Sequence, residues 1–121
     1  MSVVAMANPG AMLKDLKARV SGAAVALVSR DGSVLHAEMP PGTYVETFAI
    51  MCATLVGAAA TASLELDRAP PTRIVVEGSD STTVLVTSGP KSLLVAVASQ
   101  DSDPPHVVRE VERFASLLSG E

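Results

Sequence analysis

A run of eighteen uncharged residues, 47–64, most limits how this chain can fold. It reads TFAIMCATLVGAAATASL, with Glu46 before it and Glu65 after it. A membrane-spanning helix needs about 20 predominantly apolar residues, and basic side chains commonly anchor its ends. This segment is slightly short, rich in Ala, Gly, Thr and Ser, and acidic at both flanks. We therefore predict a helix without membrane insertion that is covered on more than one side.

The composition favours one globular domain over residues 1–121, with its core over about 10–118. Hydrophobic residues make up 48% of the chain, which is ample for a core, although aromatic residues make up only 2%. The net charge is -4 with nine basic residues, so we expect no nucleic-acid partner. Cys52 is the single cysteine, and MSVVAMANPG has no basic region typical of a secretory signal. Both features favour the cytoplasm.

Turn and proline signals divide the chain into eight elements. Asn8-Pro9 is typical of a helix start, and Asp31-Gly32 between two apolar runs is typical of a hairpin. The patterns predict helices from Pro9 to about Ser21, from about Tyr44 to Leu66 and from about Pro105 to Leu118, and strands over 23–29, 33–38, 72–78, 82–88 and 92–98. The order is α-β-β-α-β-β-β-α. The sheet should be largely antiparallel, with helices on both faces.

The residue types most often used in catalysis do not form a recognisable site. His36 and His106 are seventy residues apart without a neighbouring acid–base motif, and Asp31 suits its turn. SGPKSLL lacks the full phosphate-loop pattern and is followed by a predicted strand, so we interpret it as a hairpin turn. We expect Cys52 to be a buried structural thiol. The sequence therefore predicts no enzyme, and no catalytic, cofactor or metal site.

A helical projection of the central segment separates two apolar faces. One face carries the bulk and should pack on the sheet; it comprises Phe48, Met51, Cys52, Leu55, Ala59 and Leu66. The opposite face has smaller side chains, which would let a second helix approach closely; it comprises Ile50, Ala53, Gly57 and Leu64, flanked by Thr47, Thr54 and Thr61. The strand RIVVEG is a short apolar edge that is hazardous if left unpaired. Both surfaces indicate self-association.

Three stretches together resemble the Roadblock/dynein light-chain family, which includes the bacterial GTPase regulator MglB. They read VSGAAVALVSRDGSVLHAEMP, ETFAIMCATLVGAAATASLEL and RIVVEGSDSTTVLVTSGPKSLLVAVASQDSD. The resemblance implies an α/β (layered α+β), Roadblock/profilin-like fold with a five-stranded antiparallel sheet in the order 2-1-5-4-3. It places the two terminal helices on one face of the sheet and the long central helix on the other.

The resemblance also implies a function. Family members form homodimers by packing their central helices and pairing their third strands. This predicts an interface of Thr47, Ile50, Ala53, Thr54, Gly57, Thr61, Leu64, Arg73, Ile74, Val75 and Val76. The implied role is a non-enzymatic regulator or scaffold of a small Ras-like GTPase. The alternatives are an assembly module that joins a larger complex, as dynein light chains do, and a profilin-like small-molecule sensor.

Overall fold

The computed structural model of the protein describes residues 8–120, so most of MSVVAMANPG, on which the secretory-signal expectation rests, lies outside the described residues. Every predicted element is confirmed, and the predicted bounds shift by one or two residues. The helices are α1 (Pro9–Arg19), α2 (Val45–Glu65) and α3 (Pro104–Ser119), and the strands are β1 (Gly22–Ser29), β2 (Val34–Glu38), β3 (Arg73–Glu77), β4 (Ser81–Ser88) and β5 (Ser92–Ser99).

The five strands form one sheet in the predicted order β2-β1-β5-β4-β3, and every neighbouring pair is antiparallel. β1 and β5 are the most continuously apolar strands and lie inside the sheet, where both their faces are covered. β2 and β3 are the two edges. The fold is therefore the expected layered α+β arrangement.

The larger part of the core lies between the sheet and the two terminal helices. Side chains alternate across a strand, so every second residue of β1, β4 and β5 points to this face. The fully buried side chains here include Met12, Leu13 and Leu16 of α1, Val107, Val111 and Phe114 of α3, and Val25, Val84 and Leu94 of the sheet. Ser88 also lies here, and its hydroxyl donates a 2.8 Å hydrogen bond to the Ala115 carbonyl.

The two terminal helices are tied to each other at the end of α1. Asn8 caps the start of α1 by accepting a hydrogen bond from the Ala11 amide at 3.2 Å. At the other end, the Ser102 hydroxyl donates to the Val20 carbonyl at 2.8 Å, and His106 Nε2 lies 2.9 Å from the Arg19 carbonyl oxygen. These contacts satisfy carbonyl groups that a helix end leaves without a partner.

Within residues 8–120, α2 is the one helix that covers the opposite face of the sheet. The core on this side is smaller, and its buried residues are Ala26, Val28, Ala49, Cys52, Val56, Leu85, Leu93 and Val95. Gly32, in the β1–β2 turn, has a φ of +94°, and a Cβ there would lie 3.3 Å from the Ile50 Cα. The turn therefore packs directly against the backbone of α2, which a side chain at Gly32 would prevent.

Candidate interaction surface

One side of α2 is in contact with the rest of the domain. Three residues of the helix are buried, namely Ala49, Cys52 and Val56. Their spacing of three and four residues places them on one line along the helix. Cys52 is buried, as expected, and this burial raises the pKa of its thiol to about 11. Half-buried residues such as Phe48 and Ala53 flank this line, and the opposite side of this strongly apolar helix faces solvent.

The contacting stripe is rotated from the predicted face by roughly 80°, at 100° per residue. The prediction was right for Cys52, and Phe48 and Ala59 are half-buried. It was wrong for Met51, Leu55 and Leu66, which are 55%, 39% and 74% exposed. The reason is that small residues let the helix approach the sheet more closely than bulky ones would. Ala49, which the prediction left out, is fully buried.

The face predicted to lie opposite the core is almost entirely exposed. Its exposed members are Thr47, Ile50, Thr54, Gly57, Thr61 and Leu64. Ala53 is the exception, because it is half-buried and packs against the core, so its placement opposite the core is wrong. With Met51 and Leu55 added, the exposed side is bulkier than the sequence predicted. We call the exposed set Thr47, Ile50, Met51, Thr54, Leu55, Gly57, Thr61 and Leu64 the outer face of α2.

The outer face of α2 is less polar than its threonines suggest. The Thr54 hydroxyl donates a 2.8 Å hydrogen bond to the Ile50 carbonyl within the helix, which leaves its methyl group on the surface. Apart from the nearby backbone of α2 and the two neighbouring residues, no atom lies within 4 Å of the position that a Cβ on Gly57 would occupy. Gly57 is therefore a gap between exposed aliphatic side chains, open to an approaching surface. Contiguous exposed apolar patches of this kind mark interaction sites.

Among the described residues, α2 is the one helix whose length and composition would also allow it to cross a membrane. Its mean hydropathy is 1.7 in the most apolar window, of which 17% is buried. The core helices of soluble proteins pass the same test, so it is weak evidence for a membrane span.

The second exposed surface is the outer edge of β3. This strand pairs with β4 on one side and ends the sheet on the other. Val75 and Val76 are 41% and 44% exposed, Arg73 is exposed, and Ile74 is half-buried against the α2-side core. The predicted β3 residues thus lie at an edge beside the face covered by α2, although α2 and β3 come from separate stretches of chain.

A groove of about 440 Å³ runs between β3 and α3 on the other face of the sheet. Arg73 crosses it to form a 3.0 Å ion pair with Glu112. The lining residues are Arg73, Val75, Glu77, Pro104, Pro105, Val108, Arg109 and Glu112. The groove has an aliphatic floor and two charges of each sign around it.

The isolated polar residues take structural positions. Asp31 accepts a 2.9 Å hydrogen bond from the Ser33 amide in the predicted hairpin, and hydrogen bonding to Ser33 and Ser29 lowers the pKa of its carboxyl group. His106 serves the end of α1, as described above, and His36 lies exposed on β2. The segment containing Lys91 is a turn followed by β5, as predicted. Within residues 8–120, no group of three His, Cys, Asp or Glu residues is placed to hold a metal ion.

Comparison with known proteins was made by family model, by sequence and by structure. Residues 11–98 match the model described as the Roadblock/LC7 domain. A search of curated protein sequences found no significant match.

Three solved structures illustrate the structural likeness. MglB from Myxococcus xanthus has a TM-score of 0.88 and 14% identity, over 99% of this chain and 96% of that one. The gliding protein MglB from Thermus thermophilus has a TM-score of 0.83 and 20% identity, over 90% and 84%. A Roadblock/LC7 domain from Streptomyces avermitilis has a TM-score of 0.80 and 19% identity, over 88% and 90%. At these identities the likeness shows the fold alone.

Proposed function

Because the chain belongs to the Roadblock/LC7 domain family, we propose that it is a homodimeric, non-enzymatic regulator or scaffold of a small Ras-like GTPase. The observation that carries the proposal is the outer face of α2. A helix that is apolar all round has to be covered all round, and this domain covers one stripe of it. A second copy supplies a surface of the same shape and chemistry.

Self-association through α2 agrees with the distribution of side-chain sizes. Isologous dimers use the same patch on both subunits, so the patch has to be self-complementary. The gap at Gly57 lies between two bulky exposed side chains, Ile50 and Leu64, which are seven residues before and after it on the same side of the helix. Two such helices crossing near Gly57 would place aliphatic side chains of one copy beside the gap of the other. The free edge of β3 is the second exposed surface that a second copy would cover.

The GTPase part of the proposal rests on membership of the family and on the structural similarity to MglB. The switch loops of a GTPase are ordered by the γ-phosphate and released when it is hydrolysed. A protein that regulates the GTPase has to bind these two states with different affinity. A tenfold preference requires only about 1.4 kcal/mol of differential contact. In this proposal the nucleotide chemistry belongs entirely to the partner.

Calorimetry of the full chain against a small Ras-like GTPase encoded beside it tests the proposal. The GTPase is loaded separately with GDP and with a non-hydrolysable GTP analogue, and we expect affinities that differ by about tenfold. The chain alone should release phosphate from GTP at the background rate. Equal affinity for the two forms would favour the assembly module, and the absence of binding in both forms would contradict GTPase regulation.

A further inference from the structure

The strand β3 has a sequence whose charges are self-complementary. It reads Arg73-Ile74-Val75-Val76-Glu77, with a cation at its first residue, an anion at its last and valine at its centre. Alternate residues of a strand share a face, so Arg73, Val75 and Glu77 all lie on the side of the groove with α3. Read backwards, the strand presents the opposite charge at each end.

The backbone amides and carbonyls of β3 that do not pair with β4 point outward from the edge of the sheet. The Thr87 amide donates to the Thr72 carbonyl at 3.1 Å, and the Gly78 amide donates to the Ser81 carbonyl at 2.8 Å. Hydrogen-bonded pairs alternate along an antiparallel ladder, so the backbone amides and carbonyls of the even-numbered residues of β3 point toward β4. The amides and carbonyls of residues 73, 75 and 77 therefore point outward from the sheet. They form a short template centred on Val75.

The family resemblance implies that the third strands of the two copies pair, and we propose that they do so in an antiparallel register centred on Val75. Arg73 then lies opposite Glu77 of the partner subunit, and Glu77 lies opposite Arg73 of the partner subunit. This inference rests on the proposed homodimer. It adds the register of the interface and the charge pattern by which the strand selects its own copy.

This register is favoured over its neighbours because it alone pairs both charges. Centring the two strands on Ile74 places Glu77 opposite Pro71, which has no amide hydrogen to donate. Centring them on Val76 places Glu77 opposite Val75. In the register on Val75, the aliphatic Ile74 and Val76 oppose each other on the other face. Cross-strand pairs of opposite charge stabilise a sheet, whereas like charges directly opposite each other destabilise it.

Arg73 can donate hydrogen bonds to a second carboxylate while it keeps its ion pair with Glu112. Its Nη1 donates to Glu112 at 3.0 Å, and its side chain remains 49% exposed. A guanidinium carries five N–H donors, so the remaining ones are available. The Glu77 carboxylate of the partner subunit would reach the same groove and extend the ion pair into a Glu–Arg–Glu row. Arg109, which also lines the groove, adds a further cation.

Two charge reversals test the register. Arg73→Glu places two carboxylates opposite each other at both sites of the homodimer, and Glu77→Arg places two cations there. We expect each variant to raise the dimer dissociation constant by about tenfold, which is about 1.4 kcal/mol over the two symmetric sites. When the two variants are mixed, every cross-strand pair becomes attractive again. Native mass spectrometry should therefore show mostly mixed dimer, above the half that random pairing gives.

The doubly reversed chain, Arg73→Glu with Glu77→Arg, should recover self-association. The Arg73→Glu chain loses its ion pair with Glu112 both in its own homodimer and in the mixed dimer. This loss therefore cancels when the two dimers are compared. Lys14→Glu and Asp101→Arg change the net charge by the same amounts at exposed positions outside β3 and α2. Mixing these two controls should give random pairing.

A wild-type dimer whose β3 variants all pair at random would overturn the register and leave the homodimer standing. A preference for mixed dimer that the Lys14 and Asp101 controls reproduce would also overturn it, because net charge alone would then explain the result. A monomeric wild-type chain would overturn the homodimer itself, and with it the register.

Discussion

Gly57→Leu should weaken the dimer while it strengthens the individual domain. Apart from the nearby backbone of α2 and the two neighbouring residues, no atom lies within 4 Å of the position that a Cβ would take at Gly57, so within one protomer a leucine enters open space. Glycine in a helix interior costs about 1 kcal/mol relative to a good helix former. The substitution should therefore raise the unfolding free energy of the isolated domain by about that amount.

The same leucine would fill the gap that we propose for close helix approach. Adding bulk to a well-packed contact costs roughly 1–3 kcal/mol. This corresponds to a roughly five- to 150-fold rise in the dimer dissociation constant. The two effects have opposite signs, which separates loss of an interface from loss of the fold. A variant that merely unfolds would lower both the stability of the protomer and the affinity of the dimer.

Sedimentation equilibrium gives the dissociation constant, and urea unfolding below that concentration gives the stability of the protomer. Ala18→Leu, at an exposed position on α1, adds a similar side chain away from α2 and should leave the dimer unchanged. Cys52→Ala removes a buried sulfur, so it should destabilise the protomer and weaken the dimer less than Gly57→Leu does. A Gly57→Leu chain that dimerises like wild type would refute the placement of Gly57 in the interface.

Three further predictions concern the protomer. Cys52 should react slowly with a thiol reagent at pH 8 and rapidly in denaturant, because burial keeps the pKa of its thiol at about 11; rapid labelling of the native chain would contradict this. A hydrogen bond from Arg113 lowers the pKa of Glu110 below its ordinary value. The stability that Glu110 contributes is therefore present above its unfolded-state pKa and is lost as the pH falls through its folded-state pKa. In an acid titration of the unfolding free energy, Glu110→Gln should flatten that part of the curve. Ser88→Ala leaves the buried Ala115 carbonyl without its 2.8 Å donor and should cost about 1 kcal/mol in urea unfolding.

The sequence predicted the elements well because their boundaries are local. Asn8-Pro9, Asp31-Gly32 and Pro70-Pro71 act through backbone restrictions that need no knowledge of distant residues. The placement of β1 and β5 inside the sheet also followed from local pattern, since continuous apolar runs suit strands covered on both faces.

The facing of α2 could not be predicted in the same way. Its residues are apolar on every side, so the amphipathic signal that normally sets the rotation of a helix is weak. Bulk was the remaining guide, and it pointed Met51 and Leu55 toward the sheet. In the structure, Leu85, Leu93 and Val95 of the sheet fill the space under α2 and leave room there for small residues such as Ala49. That information lies in strands far from α2 in the sequence.

The charges at the two ends of β3 can be read from the sequence, but their role in strand pairing cannot. RIVVEG was identified there as an exposed edge. The direction of its free amides and the ion pair between Arg73 and Glu112 depend on the register with β4 and on the position of α3. Both arise from long-range packing, so the structure was needed to see that Arg73 and Glu77 lie along one open edge.

Sedimentation equilibrium of the wild-type chain at micromolar concentration tests the central claim most directly. The claim is that a second copy covers the outer face of α2, where Met51 and Leu64 are 55% and 70% exposed. We expect twice the chain mass of 12.4 kDa, with dissociation on dilution. A chain that remains at 12.4 kDa across the micromolar range would contradict the account, because the apolar face of α2 would then be stable in water without a second copy.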